Sequence, residues 1–149
     1  MALTVLCCTD GSEHALDALR AGLAVVAPAD RVVVATVIEP VDPTLVYGTG
    51  LAGGVIPPED FDAQETAREA EAHDLLDATV AALGLTNAET RVVMGPTGPA
   101  LIELAEQLPA SVMVIGTRGH GGLRRAVLGS VSDHVVRHAP CPVVATSAR

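Results

Sequence analysis

Two short segments of this chain hold residues whose types and spacing suit ligand chemistry. The first is GTRGHGGLRRAVLGS, Gly116 to Ser130, which follows an apolar run and precedes a helical pattern. Gly116, Gly119, Gly121, Gly122 and Gly129 allow unusual backbone angles and keep side chains away from an approaching ligand. Ser130 then starts a helix whose first N–H groups have no intrahelical acceptor, which is a ready place for an anion. Ser130 and Ser132 add hydroxyl donors, and Arg118, Arg124 and Arg125 add positive charge. A self-contained alternative stands beside this reading. Ser130 with Asp133 has capping-box spacing and could serve only its own helix. The second segment is Cys8-Thr9-Asp10-Gly11-Ser12, a turn with a carboxylate and two hydroxyls.

These turns act together only if the fold brings them to one edge. Leu3–Cys8 reads as strand 1, and Ser12 caps a helix from Glu13 to about Ala27, stopped by Pro28. Arg31–Ile38 (RVVVATVI) is β-branched and apolar, as expected of a central strand buried on both faces. A Gly- and Pro-rich loop, 39–57, leads to a helix from Pro58 to about Leu83, ended by Gly84. Strand 3 is expected at Glu89–Met94 and a helix at Pro99–Leu108. Strand 4 follows at Ser111–Ile115, a helix at Ser130–His138 and strand 5 at Pro142–Thr146. Alternating apolar strands and helices imply a parallel sheet covered on both faces, in one domain spanning 1–149. In such sheets ligands bind beyond the carboxyl ends of the strands, where both turns lie.

Composition removes several alternatives. The chain has 149 residues, 49% of them hydrophobic, with mean hydropathy +0.41, too apolar for a disordered chain. All 9 basic residues are Arg, so Schiff-base chemistry and a P-loop lysine are excluded. Net charge is −9: residues 1–115 hold 4 Arg and 17 acids, whereas 116–149 hold 5 Arg and 1 acid. An acidic body argues against nucleic acid as partner, and the basic last quarter suits a small anion. No apolar run reaches the about 20 residues of a membrane helix, and MALTVLCCTDGSEH does not read as a secretion signal. Cys7, Cys8 and Cys141, without a CxxC, read as reduced thiols in a cytoplasmic protein.

The spacing Gly116-x2-Gly119-x9-Gly129-Ser130 resembles the glycine signature of the ATP-binding universal stress proteins. The Thr9-Asp10-Gly11-Ser12 turn, VIEP after strand 2 and APCPVVAT near the end are similar too, so the resemblance runs from Leu3 to Thr146. It implies a three-layer α/β/α, Rossmann-like fold with five parallel strands in the order 3-2-1-4-5. It implies ATP as ligand, with or without magnesium, and a signalling or stress-response role with little or no catalysis. Asp10, with Thr9 beside it, would hold the ribose or adenine side, and Val37 would contact the adenine. Gly116 and Gly119 would approach the ribose and α-phosphate, with Arg118 between them. Gly129, Ser130, Val131 and Ser132 would hold the phosphates. Many such proteins form homodimers through the last strand, and Pro142–Thr146 is an apolar edge that a monomer would leave open. Cys8 departs from the commoner Pro, Val or Ile.

Other signals are set aside. Gly48-Thr49-Gly50-Leu51-Ala52-Gly53 spells GxGxxG but lies in mid-loop, not between strand and helix. His134 and His138 share a helix face with zinc spacing but no third ligand. Ser12 and Ser130 lack the surroundings of a nucleophile. Tyr47 and Phe61 are too few aromatics for a flavin site. Two other functions compete: a slow ATPase or adenylyl-transfer enzyme, and a nucleotide-free dimeric interaction module.

Overall fold

The computed structural model describes residues 2–41, 58–117 and 128–147. Nine elements alternate along them: β1 (Thr4–Cys8), α1 (Glu13–Val25), β2 (Arg31–Ile38), α2 (Pro58–Leu83), β3 (Glu89–Met94), α3 (Thr97–Gln107), β4 (Val112–Gly116), α4 (Ser130–His138) and β5 (Val143–Thr146). The strands form one sheet in the order β3-β2-β1-β4-β5, with every neighbouring pair parallel.

Strand periodicity divides the core into two layers. Val5, Cys7, Val34, Val112 and Val114 face one way and pack with Leu19 of α1 and Leu76 of α2. Leu6, Cys8, Val33, Ala35, Met113 and Ile115 face the other way, against Leu101, Leu104 and Ala105 of α3 and Val135 of α4. All five residues of β1 are buried, as a central strand covered on both faces requires. At the amino end of the sheet, the Glu89 carboxylate joins β3 to β2 through Arg31 at 2.6 and 2.8 Å and also meets Arg91.

Helix boundaries differ from the sequence expectation for local reasons. α1 stops at Val25 because Val26 is already extended, and Ala27 precedes Pro28, which disfavours helical angles. Its buried residues are Ala15, Ala18, Leu19 and Gly22; of the stripe Leu16, Leu19, Leu23 and Val26 expected from the spacing, Leu19 is fully buried and Leu23 and Val26 pack half-buried on the same core. A Cβ on Gly22 would lie 2.3 Å from Val114 Cγ1, so this bare position lets α1 settle close to the sheet. α3 starts at Thr97, two residues before Pro99, whose missing N–H falls in the first turn where no ladder bond is lost. α2 ends at Gly84, where φ of +68° lets the chain turn back and Leu85 N–H reach Val80 C=O.

Candidate functional site

The turn after β1 is locked by its own side chains. Thr9 N–H donates to Ala35 C=O at 3.0 Å, which carries the β1–β2 pairing one residue further. Gly11 N–H donates to Thr9 Oγ1 at 3.1 Å. Asp10 Oδ1 accepts from Ser12 N–H at 2.9 Å and Ser12 Oγ at 2.6 Å, an Asx turn that fixes the carboxylate. Ser12 Oγ also accepts Ala15 N–H at 3.1 Å as cap of α1. Gly11 has φ of +81°, which a side chain resists.

Across the same sheet edge, Gly116 ends β4 opposite Thr146 of β5. Thr117 N–H donates to Thr146 C=O at 2.8 Å, and Thr117 C=O accepts Gly129 N–H at 3.0 Å and Ser132 Oγ at 3.3 Å. α4 therefore begins directly beside the carboxyl end of β4. Gly129 is its N-cap, without a side-chain cap among the described residues. The helical ladder starts with Asp133 N–H to Gly129 C=O at 2.8 Å. The amides of Ser130, Val131 and Ser132 precede that ladder and carry the positive end of the helix dipole.

Several expectations are corrected here. The capping box is not formed: Ser130 is exposed at the first helical position, and Asp133 pairs with Arg137 Nε at 2.9 and 3.0 Å. That ion pair offsets the negative charge near the helix start. Ser132 is 3% exposed, and its hydroxyl is spent on Gly129 C=O and Thr117 C=O. Ser132 thus offers an amide, not a hydroxyl. Gly129 has ordinary angles, φ −62° and ψ 162°, so it is not a glycine for conformational freedom. Arg118, Gly119, His120, Gly121, Gly122, Arg124 and Arg125, and the decoy glycines Gly48, Gly50 and Gly53, lie outside the described residues.

Val37 sits near the end of β2, half-buried on the same sheet face as Cys8, Ala35 and α4. Thr9, Asp10, Val37, Gly116, Gly129, Ser130, Val131 and Ser132 are thus brought to one edge of the sheet, around the ends of β2, β1 and β4. One residue there was missed by sequence reasoning. Glu39, just past β2, accepts from Thr97 Oγ1 at 2.7 Å and Thr97 N–H at 3.4 Å, bonds that hold its carboxyl below the usual range. Only its place within VIEP, Val37 to Pro40, could have flagged it.

Burial raises the thiols of Cys7, to about 12, and of Cys8 and Cys141, so none is a ready nucleophile at neutral pH. The His134 and His138 rings stack at 4.4 Å, with His138 Nδ1 against His134 C=O at 2.9 Å. Among the described residues no group of three or more His, Cys, Asp or Glu could hold a metal. No described helix is long and apolar enough to cross a membrane.

The profile of the universal stress protein family matches residues 1–147. This chain belongs to that family. A protein of Staphylococcus haemolyticus named as a universal stress protein is 36% identical over 91 residues, 58% of this chain and 55% of its own length. The chain spans about half the length of the curated relatives it matches. Universal stress protein UspA from Lactobacillus plantarum has the same fold, with TM-score 0.72 and 22% identity, over 97% of each chain. A universal stress protein crystallised in complex with cAMP gives TM-score 0.60 and 27% identity, over 99% of this chain and 98% of that one. Fold neighbours from Archaeoglobus fulgidus and Arabidopsis thaliana were solved with dAMP and AMP.

Proposed function

We propose that this universal stress protein binds an adenine nucleotide, ATP above all, at the carboxyl edge of its sheet. The observation that carries the reading is the start of α4. Three successive amides, Ser130 to Ser132, precede the helical ladder and stand beside the end of β4, with a bare glycine as cap. Phosphate oxygens suit that position. Asp10, held by Ser12, presents a fixed carboxylate that accepts hydrogen bonds from sugar hydroxyls, and Val37 offers apolar surface to a purine. The adenine nucleotides bound by family neighbours support the same reading. Magnesium, where present, would arrive with the phosphates, since the described residues build no metal cage of their own.

The role we assign is signalling or stress response in the cytoplasm, with the bound nucleotide read by a partner and little or no hydrolysis. Ser12 is committed as a cap and the described thiols are raised by burial, which disfavours a covalent intermediate on either; hydrolysis by water is read by the phosphate-release assay below. We also assign a homodimer through β5, whose valines Val143 and Val144 are only half-buried within one chain; light scattering showing a strict monomer at micromolar concentration would remove it. The central test is to denature the purified protein, identify released nucleotide by chromatography, and titrate the wild type with ATP by calorimetry. Adenine nucleotide released or bound is the expected result. Absence of both at millimolar nucleotide would refute the reading. Phosphate release above a Gly129→Val background would instead favour the ATPase alternative.

A further inference from the structure

Beyond Ala35, β2 loses its partner on one side. Pairing with β1 ends at Cys8 and Ala35, extended only by Thr9 N–H to Ala35 C=O, whereas pairing with β3 continues through Thr36, Val37 and Ile38. The rim that presents Val37 is therefore held from its β3 side and from beyond its end. Three elements meet there. Gly95 N–H, from the turn after β3, donates to Ile38 C=O at 3.1 Å. Arg68 Nη2 of α2 donates to Glu39 C=O at 2.8 Å. Thr97 Oγ1 and N–H, the first residue of α3, donate to Glu39 Oε1 at 2.7 and 3.4 Å.

The Glu39 carboxylate does for α3 what its own cap does not. Pro96 caps that helix without a side-chain bond, and the dipole favours a negative group at its amino end. Glu39 thus ties the end of β2 to helices on both faces of the sheet, two residues from Val37.

We propose that Glu39 is a positioning residue for the nucleotide base: clamped by Thr97 and Arg68, it sets the placement of the Val37 rim against which the purine lies. The assignment rests on the adenine-nucleotide reading above. Its ligand class is the nucleoside half of the nucleotide, so its loss acts on base and sugar and not on phosphate.

The experiment compares adenosine and AMP on each variant by calorimetry. Glu39→Ala weakens both ligands by the same factor, about fivefold for one lost cap-type bond, so the AMP-to-adenosine ratio stays at the wild-type value. Glu39→Gln keeps an acceptor for Thr97 and restores affinity to within about twofold. Arg68→Ala shifts both ligands in the same direction, and thermal unfolding confirms that each variant is folded. A role through charge alone gives a different pattern: Gln behaves like Ala, and AMP gains affinity while adenosine does not. That pattern, or wild-type adenosine affinity in Glu39→Ala, overturns the assignment. A wild-type protein that binds neither ligand overturns the nucleotide reading itself, which separates the two failures.

Discussion

Gly129→Ala separates the fold's need for that position from the ligand's. A Cβ there would lie 3.4 Å from Thr117 O and 3.6 Å from Ser132 Oγ, both close to ordinary contact. The backbone angles are open to any L-residue. Alanine is a poorer N-cap than glycine by about 0.5–1 kcal/mol, while restricting the unfolded chain returns about 0.4–1 kcal/mol. The net effect on stability is within about 1 kcal/mol, or about 2–4 °C in Tm for a chain of this size. The expected effect on ATP is larger, because Gly129 caps the helix whose first amides are assigned to the phosphates, and a methyl on the cap reduces the room for them. Losing one charged hydrogen bond costs about 1.5–3 kcal/mol, which is about 10- to 100-fold in Kd. Calorimetry with ATP and a thermal melt on the same preparation read both quantities. Wild-type ATP affinity in Gly129→Ala would refute the placement of phosphate at α4. A fall in Tm beyond about 10 °C would refute the claim that the fold tolerates a side chain there.

Further expectations follow from packing and titration. Gly22→Val drives a side chain into Val114, and overpacking costs about 1–3 kcal/mol, to be read as a lower urea midpoint with unchanged slope. Gly11→Ala meets both a positive φ and Leu75 Cδ1, which a Cβ would approach to 2.2 Å, so it destabilises by about 2 kcal/mol or more in the same assay. Cys7 titrates near 9.0 when unfolded and about 12 when folded. The unfolded chain therefore sheds a proton first, and stability falls by up to about 1.4 kcal/mol per pH unit per thiol from pH 9 upward. Urea midpoints that stay flat between pH 9 and 10.5 would contradict this. Native protein at pH 8 should react with a maleimide at Cys141 well before Cys7 or Cys8, with all three labelled in guanidinium, as mass spectrometry would show.

The sequence was most legible where one signal dominated. The β-branched run Arg31–Ile38, the Pro58-to-Leu83 helix with Gly84 after it, and Ser130–His138 have the expected bounds. The sheet order was carried by the family resemblance and not by periodicity, and the topology agrees with it. The α1 face was legible in Leu19, Leu23 and Val26, which pack on the core, but not in Ala15, Ala18 and Gly22, because small residues leave no hydrophobic pattern. The start of α3 was obscured by Pro99, which is compatible with either the first or the third helical position. Ser132 and Glu39 show a deeper limit. Whether a hydroxyl faces solvent or a neighbouring carbonyl, and which helix a distant carboxylate serves, depends on contacts 15 and 58 residues apart in sequence.

The Thr117 carbonyl couples two elements through a single atom. It accepts Gly129 N–H at 3.0 Å and the Ser132 hydroxyl at 3.3 Å, so the end of β4 and the start of α4 are stapled together. The amide cradle thus takes its position from the sheet and not from a side-chain cap of its own, and a disturbance at the β4 terminus reaches it directly.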